Sequence, residues 1–279
     1  MNQADDQLIK TVQAIADFAI LQSPRLTELT DQAVVEHLIV PYFRSQPPRS
    51  TPGHVVDVGA AYGSVARVFL QGGWSADIFE PDPACREILS RLSSGFPGRC
   101  RFFPFAAGDE NQDAVVFHQN ATAGLSGFAK SPFGADREVL QVRCVRLGEF
   151  LVSAGVTRVD FLKIDTEGSD FNVLETHDFA RLPPALVFVE YSYYFPNQEP
   201  CAVGAALSAM ARIGYSPVIF EYDDDGNFAK GIWSHRLVAM HFDAARLPRR
   251  ERSFGNILFY RNDDDRFLNT LGTLIQNLR

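Results

Sequence analysis

The sequence is short of the residues that mark several common protein classes. Its four cysteines, Cys85, Cys100, Cys144 and Cys201, are widely spaced and form no CxxC pair. That spacing speaks against a structural zinc site and against a disulfide framework. No stretch approaches the roughly 20 apolar residues of a membrane-spanning helix. The first ten residues, MNQADDQLIK, carry acids where a secretory leader has a basic region. A cytoplasmic protein with no membrane span is the expectation. Basic residues are the minority, 26 Lys and Arg against 34 Asp and Glu, for a net charge of −8. An acidic chain repels phosphate backbones, so nucleic acid is not an expected partner.

Phenylalanine is abundant, with 23 residues beside 8 Tyr and 2 Trp. Rings on that scale predict a ring-filled core and a pocket lined by rings. The 279 residues, 46% hydrophobic and 22% charged, suit one large domain or two small ones with a core that needs no staples.

Residues 1–45 read as helical. Leu8, Ile9, Val12, Ile15, Phe18 and Ala19 make one apolar stripe, and Leu29, Val34, Val35, Leu38 and Ile39 a second. A Pro-rich connector, Ser45–Gly53, follows. These helices are read as a cap or an oligomer contact, with a homodimer as the corresponding expectation. Beyond the connector, short apolar runs alternate with amphipathic segments. Strands are predicted at His54–Val58, Ala76–Glu80, Arg101–Ala107, Val159–Asp165 and Ala185–Glu190, separated by helices. Ala114–His118 and Val139–Val145 read as an inserted hairpin, and Ser216–Tyr222 with Asn256–Tyr260 as a late antiparallel edge. Such alternation predicts an α/β fold with a largely parallel sheet covered on both faces. Ligands bind such sheets at the carboxyl ends of the strands.

The first strand ends VVDVGAAYGS, placing Gly59, Ala60 and Gly63 between a strand and a helix. Glycine there permits a sharp turn and a close ligand approach. The spacing is G-x-x-x-G, which fits neither the dinucleotide fingerprint nor a phosphate loop. Asp57 beside the turn would repel a pyrophosphate and attract an ammonium. The plain alternative is a tight turn alone. Glu80, 23 residues after Asp57, ends the second strand in FEPDP with Pro81 and Asp82. An acid about 20 residues on accepts hydrogen bonds from ribose hydroxyls. The third strand ends FAAGD, where the small Ala107 leaves room for a flat ring and Asp109 is a candidate acceptor for an exocyclic amine.

The fourth strand runs into VDFLKIDTEGS. Alternation puts Lys163 and Asp165 opposite Leu162 and Ile164, and Asp165 and Glu167 fall over the crevice. A Lys on a buried strand pairs with a carboxylate, so a simple ion pair is the alternative to a direct role. Glu190 ends the neighbouring strand. The two acids Asp165 and Glu190 read as a base and its partner, as metal ligands, or as helix caps. His118 and His241 are alternative bases, though each stands outside any paired motif. Residues 119–137 are either a loop over an acceptor or a plain connection. Tyr191, Tyr193, Tyr194 and Phe195 are either stacking rings or core. Arg246, Arg249, Arg250 and Arg252 are either a solvated run or a site for a phosphate or carboxylate on the acceptor, and Asp223–Gly226 reads as a hairpin turn.

VVDVGAAYG, FEPDP and above all FLKIDTEGSDFNVL resemble the FkbM-type methyltransferases, a branch of the class I S-adenosylmethionine-dependent enzymes. The family pattern after the first strand is D-x-G-A-N-x-G, and Ala61 stands here in place of the Asn. The resemblance implies a Rossmann-like seven-stranded sheet, mostly parallel with a reversed last hairpin. The Pro-rich connector divides the chain into an N-terminal helical extension, 1–50, and a domain, 51–279, that the resemblance reads as the methyltransferase. The resemblance also implies that Asp57, Gly59, Ala60 and Gly63 hold the amino-acid end of S-adenosylmethionine. Glu80, Pro81 and Asp82 would hold the ribose, and Ala107–Asp109 would border the adenine. Asp165, Glu167 and Lys163 would then face the methyl group, with Asp165 and Glu190 as the candidates for base or acceptor orientation and no metal required. Expected acceptors carry a hydroxyl, on a sugar, polyketide or lipid-linked compound. A catalytically silent cofactor-binding module and a nicotinamide-dependent oxidoreductase are the competing readings.

Overall fold

The computed structural model describes residues 7–14, 16, 31–47, 51–122, 124–195, 198, 200–224, 235–242 and 253–277. Five strands of the large sheet run parallel: β1 (His54–Val58), β2 (Ser75–Phe79), β3 (Cys100–Phe103), β7 (Phe161–Ile164) and β8 (Leu186–Ser192). Three more complete it: β9 (Tyr215–Asp224), β10 (His235–His241) and β11 (Phe254–Arg261). The order across the sheet is β10-β9-β11-β8-β7-β1-β2-β3. The strand order reverses between β1 and β7, which opens a crevice at their carboxyl ends.

The seven-stranded arrangement is present as β9-β11-β8-β7-β1-β2-β3. Two features depart from the sequence reading. β10 adds an eighth strand, antiparallel to β9. β11 is no edge strand, because it lies between β8 and β9 and pairs antiparallel with both. A third departure concerns Arg101–Ala107, expected as one strand. Pro104 has no N–H to give to a ladder, and the chain leaves the large sheet there. It re-forms as β4 (Ala106–Gly108) beside β6 (Asp136–Arg146), which pairs antiparallel with β5 (Gln112–Asn120). This second sheet contains the inserted hairpin expected from the sequence.

The strands bury both faces, as continuous apolar runs in a parallel sheet must. Val55, Phe161, Leu186 and Phe188 enter one core with the helix Ser64–Gln71. Val56, Val58, Leu162, Ile164, Val187 and Val189 enter the other, with helices Asp170–Thr176 and Pro200–Arg212. Lys163 and Asp57 point to the first face and are direct neighbours in the β1–β7 register.

The described N-terminal residues pack into that first core. Val12, Ala16, Val34, Leu38 and Phe43 join Phe69, Phe161 and Leu271 in one buried cluster. The described part of the apolar stripes is therefore used within this chain, while positions 15, 18, 19 and 29 lie outside the described residues. A π-helical turn, Val35–Ile39, precedes the helical segment Val40–Arg44. Pro41 lacks the N–H that an α-helix would need, and a widened turn absorbs that loss. Gln13 reaches the open side of β10, donating to the Met240 carbonyl at 2.7 Å and accepting from the Phe242 N–H at 3.0 Å.

Candidate active site

The turn after β1 is held against the strand on each side of it. Gly59 adopts φ +70°, and a Cβ built on it would lie 1.6 Å from the Asp165 carbonyl oxygen. No side chain fits there. Ala61 also has positive φ, +45°. Its N–H donates to Glu80 Oε2 at 2.8 Å. Gly63, at φ +73°, starts the helix Ser64–Gln71, and a Cβ there would meet Leu89 and Leu92 at 2.8 Å. Gly63 thus serves the turn and the packing behind it. Asp57 is fully buried. Its Oδ2 accepts the Ala66 N–H at 3.1 Å, and its Oδ1 lies 3.6 Å from the Lys163 ammonium. Burial raises the Asp57 carboxyl above the ordinary aspartate range, and the lysine opposes that shift.

Glu80 is fixed by two backbone donors, the Ala61 N–H and the Asp82 N–H, the latter at 2.8 Å on Oε1. Burial outweighs those donors and pushes its carboxyl up to about 7. Asp82 is buried, and its carboxylate accepts from Ala84, Gln119 and Ser126.

The loop after β7 is organised by an acid that motif reading passed over. Asp170 is fully buried, and it accepts the N–H of Thr166 at 2.7 Å and of Gly168 at 3.1 Å. The Gln198 side chain is a third donor to it. These bonds hold Glu167 at φ +55° and Gly168 at φ +109°. Burial, then the nearby Asp165, raises the Asp170 carboxyl to about 6. Lys163 Nζ donates to the Gly59 carbonyl at 2.6 Å and lies 3.1 Å from Asp165 Oδ2. The ion pair offered as the alternative reading of Lys163 is therefore present, and it joins the two turns. Asp165, Asp170 and Glu190 bring carboxylate oxygens within 4.8 Å of one another.

Two adjoining cavities open at these strand ends. The narrower cleft is bounded by Glu80, Pro81, Phe105, Ala107, Phe117 and Phe128, among others. The larger, about 760 Å³, is bounded by Tyr62, Phe133, Lys163, Glu190, Tyr194 and Phe254, among others. Gly59, Ala61, Gly124, Asp165 and Glu167 line both. Asp165 thus stands where the two meet.

Most of the expected site residues converge here. Gly59, Ala60, Glu80, Pro81, Ala107, Lys163, Asp165, Glu167 and Glu190 all face one cavity or the other. Asp57, Gly63 and Asp82 stand behind the lining, engaged as described. Asp109 is a correction: it is exposed, lines neither cavity, and its carbonyl accepts from Arg146. β4 ends before it, and the chain turns into the second sheet. His118 and His241 are also outside; His118 pairs its backbone with Gly127, and His241 faces Glu221. The aromatic run divides, with Tyr194 and Phe195 on the larger cavity and Tyr191 in the core. The arginines at 246, 249, 250 and 252 lie outside the described residues. So does the second half of the Asp223–Gly226 turn, whose first two residues extend β9. Sequence reading missed Ser126, Gly127 and Phe128 of the inserted segment as cleft residues. The surplus of Phe was their one signal.

Residues 57–217, more than half of the chain, match the family model of the methyltransferase FkbM domain. The chain belongs to the FkbM methyltransferase family. It is 28% identical over 158 residues to the 2-O-methyltransferase NoeI of Sinorhizobium fredii, a match covering 50% of this chain and 63% of that protein. The match therefore spans less than two thirds of that relative's length. Among solved structures, it resembles human methyltransferase-like protein 13 in complex with S-adenosylhomocysteine, at 12% identity and TM-score 0.39, covering 96% of this chain and 90% of that one. It also resembles an S-adenosylmethionine-dependent methyltransferase from Thiobacillus denitrificans, at 12% identity and TM-score 0.38, covering 87% and 96%.

FkbM methyltransferases depend on S-adenosylmethionine, and the cleft suits that cofactor. Its lining includes carboxylates and no Lys or Arg among the described residues, which fits a sulfonium cation and not a pyrophosphate. Four phenylalanines, Phe79, Phe105, Phe117 and Phe128, offer faces and edges to a flat base. No described helix is long and apolar enough to cross a membrane.

Proposed function

We propose that this methyltransferase acts on oxygen, methylating a hydroxyl of a sugar, polyketide or similar natural-product acceptor. The observation that carries the reading is Asp165, an acid on the seam between the cleft and the larger cavity. The cavity volume, about 760 Å³, lies within the usual range for small-molecule sites. Ring faces at Tyr62, Phe133 and Tyr194 suit stacking on a sugar or a flat ring, and Glu190 suits hydrogen bonding to hydroxyls. The printed activity of NoeI, a 2-O-methyltransferase, agrees with oxygen as the acceptor atom.

When bound, S-adenosylmethionine supplies a methyl group already activated on a sulfonium. In this reading Glu80 and Pro81 hold the ribose, Ala107 and the phenylalanines hold the base, and Gly59 with Ala60 borders the amino-acid end. What the protein adds is alignment of the acceptor oxygen and removal of its proton. Asp165 takes that proton or orients the oxygen, with Glu190 beside it in the same cavity. Lys163 steadies Asp165 and ties it to the Gly59 turn. General-base assistance contributes roughly 10²–10⁴-fold, and positioning contributes more.

The reading is tested by ligand-dependent melting, because a ligand of the native state raises stability with concentration. S-adenosylmethionine and S-adenosylhomocysteine should raise the melting temperature, and nicotinamide dinucleotides should not. Stabilisation by the dinucleotides alone would overturn it. Asp165→Asn should lower turnover by about 10²-fold or more and leave S-adenosylhomocysteine affinity within about threefold. Equal turnover in the two proteins removes Asp165 from the chemistry.

A further inference from the structure

Asp82 is the second acid of the FEPDP motif, two residues beyond the proposed ribose acid, yet it faces neither cavity. It is 2% exposed. A carboxylate that deep is tolerated only when its oxygens are hydrogen-bonded. Two of its partners belong to the inserted β5–β6 segment. Oδ1 accepts from Gln119 Nε2 at 2.7 Å, as well as from the Ala84 N–H at 2.8 Å. Oδ2 accepts the Ser126 hydroxyl at 2.8 Å.

The bonds continue in both directions. Ser126 Oγ accepts the Asn120 N–H at 3.0 Å. The Asn120 amide donates to the Phe133 carbonyl at 2.8 Å and accepts the Thr122 N–H at 2.9 Å. On the other side, the Asp82 N–H donates to Glu80, which also accepts from Ala61. The chain of bonds therefore begins and ends on ligand-facing residues. Ala61, Glu80 and Ser126 line the cofactor cleft, and Thr122 and Phe133 line the larger cavity.

We propose that Asp82 is a positioning residue, which seats the inserted segment against the cofactor strand end and so couples cofactor binding to the shape of the acceptor cavity. The proposal rests on the methyltransferase reading above. Its physical basis is mutual dependence. Unseating Gln119 and Ser126 leaves a desolvated carboxylate short of donors, and removing the carboxylate leaves those side chains without their anchor. Asp82 then acts on cofactor and acceptor through the segment, and not by touching either.

A double-mutant cycle on S-adenosylhomocysteine affinity, measured by titration calorimetry, separates the two roles. Asp82→Ala and the pair Gln119→Ala with Ser126→Ala should each weaken binding about tenfold, and all three together no more than about threefold further. Multiplying effects, about a hundredfold in the combined variant, would show a direct cofactor contact and overturn the proposal. Unchanged affinity in both single arms would also overturn it. Asp82→Asn, which keeps an acceptor for Gln119, stands in where Asp82→Ala does not fold, and should lie between it and the parent. Failure of the parent protein to bind S-adenosylhomocysteine would instead sink the methyltransferase reading before any variant is compared.

Discussion

Gly59 and Asp165 belong to different strand ends, and the backbone of one touches the backbone of the other. The space for a Cβ on Gly59 is taken by the Asp165 carbonyl, 1.6 Å from where that carbon would lie. The turn beside the cofactor cleft and the acid on the seam therefore move as one piece, with Lys163 bonded to both.

Gly59→Ala should consequently cost much more than a left-handed alanine alone. Gly155 is the control, with φ +75° and nothing within 4 Å of the place a Cβ would occupy. Gly155→Ala should cost about 1–2 kcal/mol, the left-handed penalty. Gly59→Ala adds overpacking and should lose roughly 3 kcal/mol or more. Urea denaturation of the two variants makes the comparison, and equal losses would refute the contact.

The proposed ribose role of Glu80 predicts a pH dependence of cofactor binding. Its carboxyl is raised to about 7 by burial, so the free protein holds it largely protonated at pH 6 and ionised at pH 8. Ribose hydroxyls donate to the ionised form, so binding favours loss of the proton. S-adenosylhomocysteine affinity should rise from pH 6 to pH 8 by up to about tenfold and then level off. Calorimetry in buffers of different ionisation enthalpy should detect the released proton near pH 6. Glu80→Gln should bind more weakly and lose this slope. A parent affinity flat across the interval contradicts the assignment.

Asp170→Ala should unfasten the loop that presents Asp165. It leaves the Thr166 and Gly168 N–H groups without their acceptor. At about 1–3 kcal/mol for each buried unsatisfied group, the loss should be roughly 3 kcal/mol. Asp170→Asn keeps one acceptor oxygen and should lose about half as much. Chemical denaturation reads the stability, and turnover should fall in parallel. Full activity in Asp170→Ala would show that the loop holds itself.

Ala61→Asn should stabilise the protein. Ala61 has φ +45°, a region that Asn enters more readily than Ala. The gain should be up to about 1 kcal/mol, a rise of about 2–4 °C in melting temperature for a chain of this size. A lower melting temperature would mean that the side chain meets an obstacle at the mouth of the cleft.

The strand-end acids were legible because a parallel sheet gathers its ligands at one edge, and the chain passes that edge once per strand. Glu80, Asp165 and Glu190 could be found from that rule. It does not say which way a carboxylate turns. Asp57 caps the helix that follows its own strand, and Asp82 turns to a segment about 40 residues on; neither direction is written in a local pattern. Asp170 escaped because it reads as an ordinary first-turn helix acid, and its use lies in two backbone groups upstream. The place of β11 between β8 and β9 is likewise a long-range choice; its continuous apolar run says that it is buried, not between which strands. β10, HRLVAMH, offers only a short apolar centre between polar ends of its own.

Gln13 has a consequence for how far the large sheet extends. By holding the Met240 carbonyl and the Phe242 N–H, its side-chain amide imitates the backbone of a ninth strand at the end of β10. An unpaired edge is a template on which another chain can add. Here a single glutamine from the N-terminal helix occupies part of that template. The helix that fills one core with Val12 and Ala16 is therefore, among the described residues, also the full stop of the sheet.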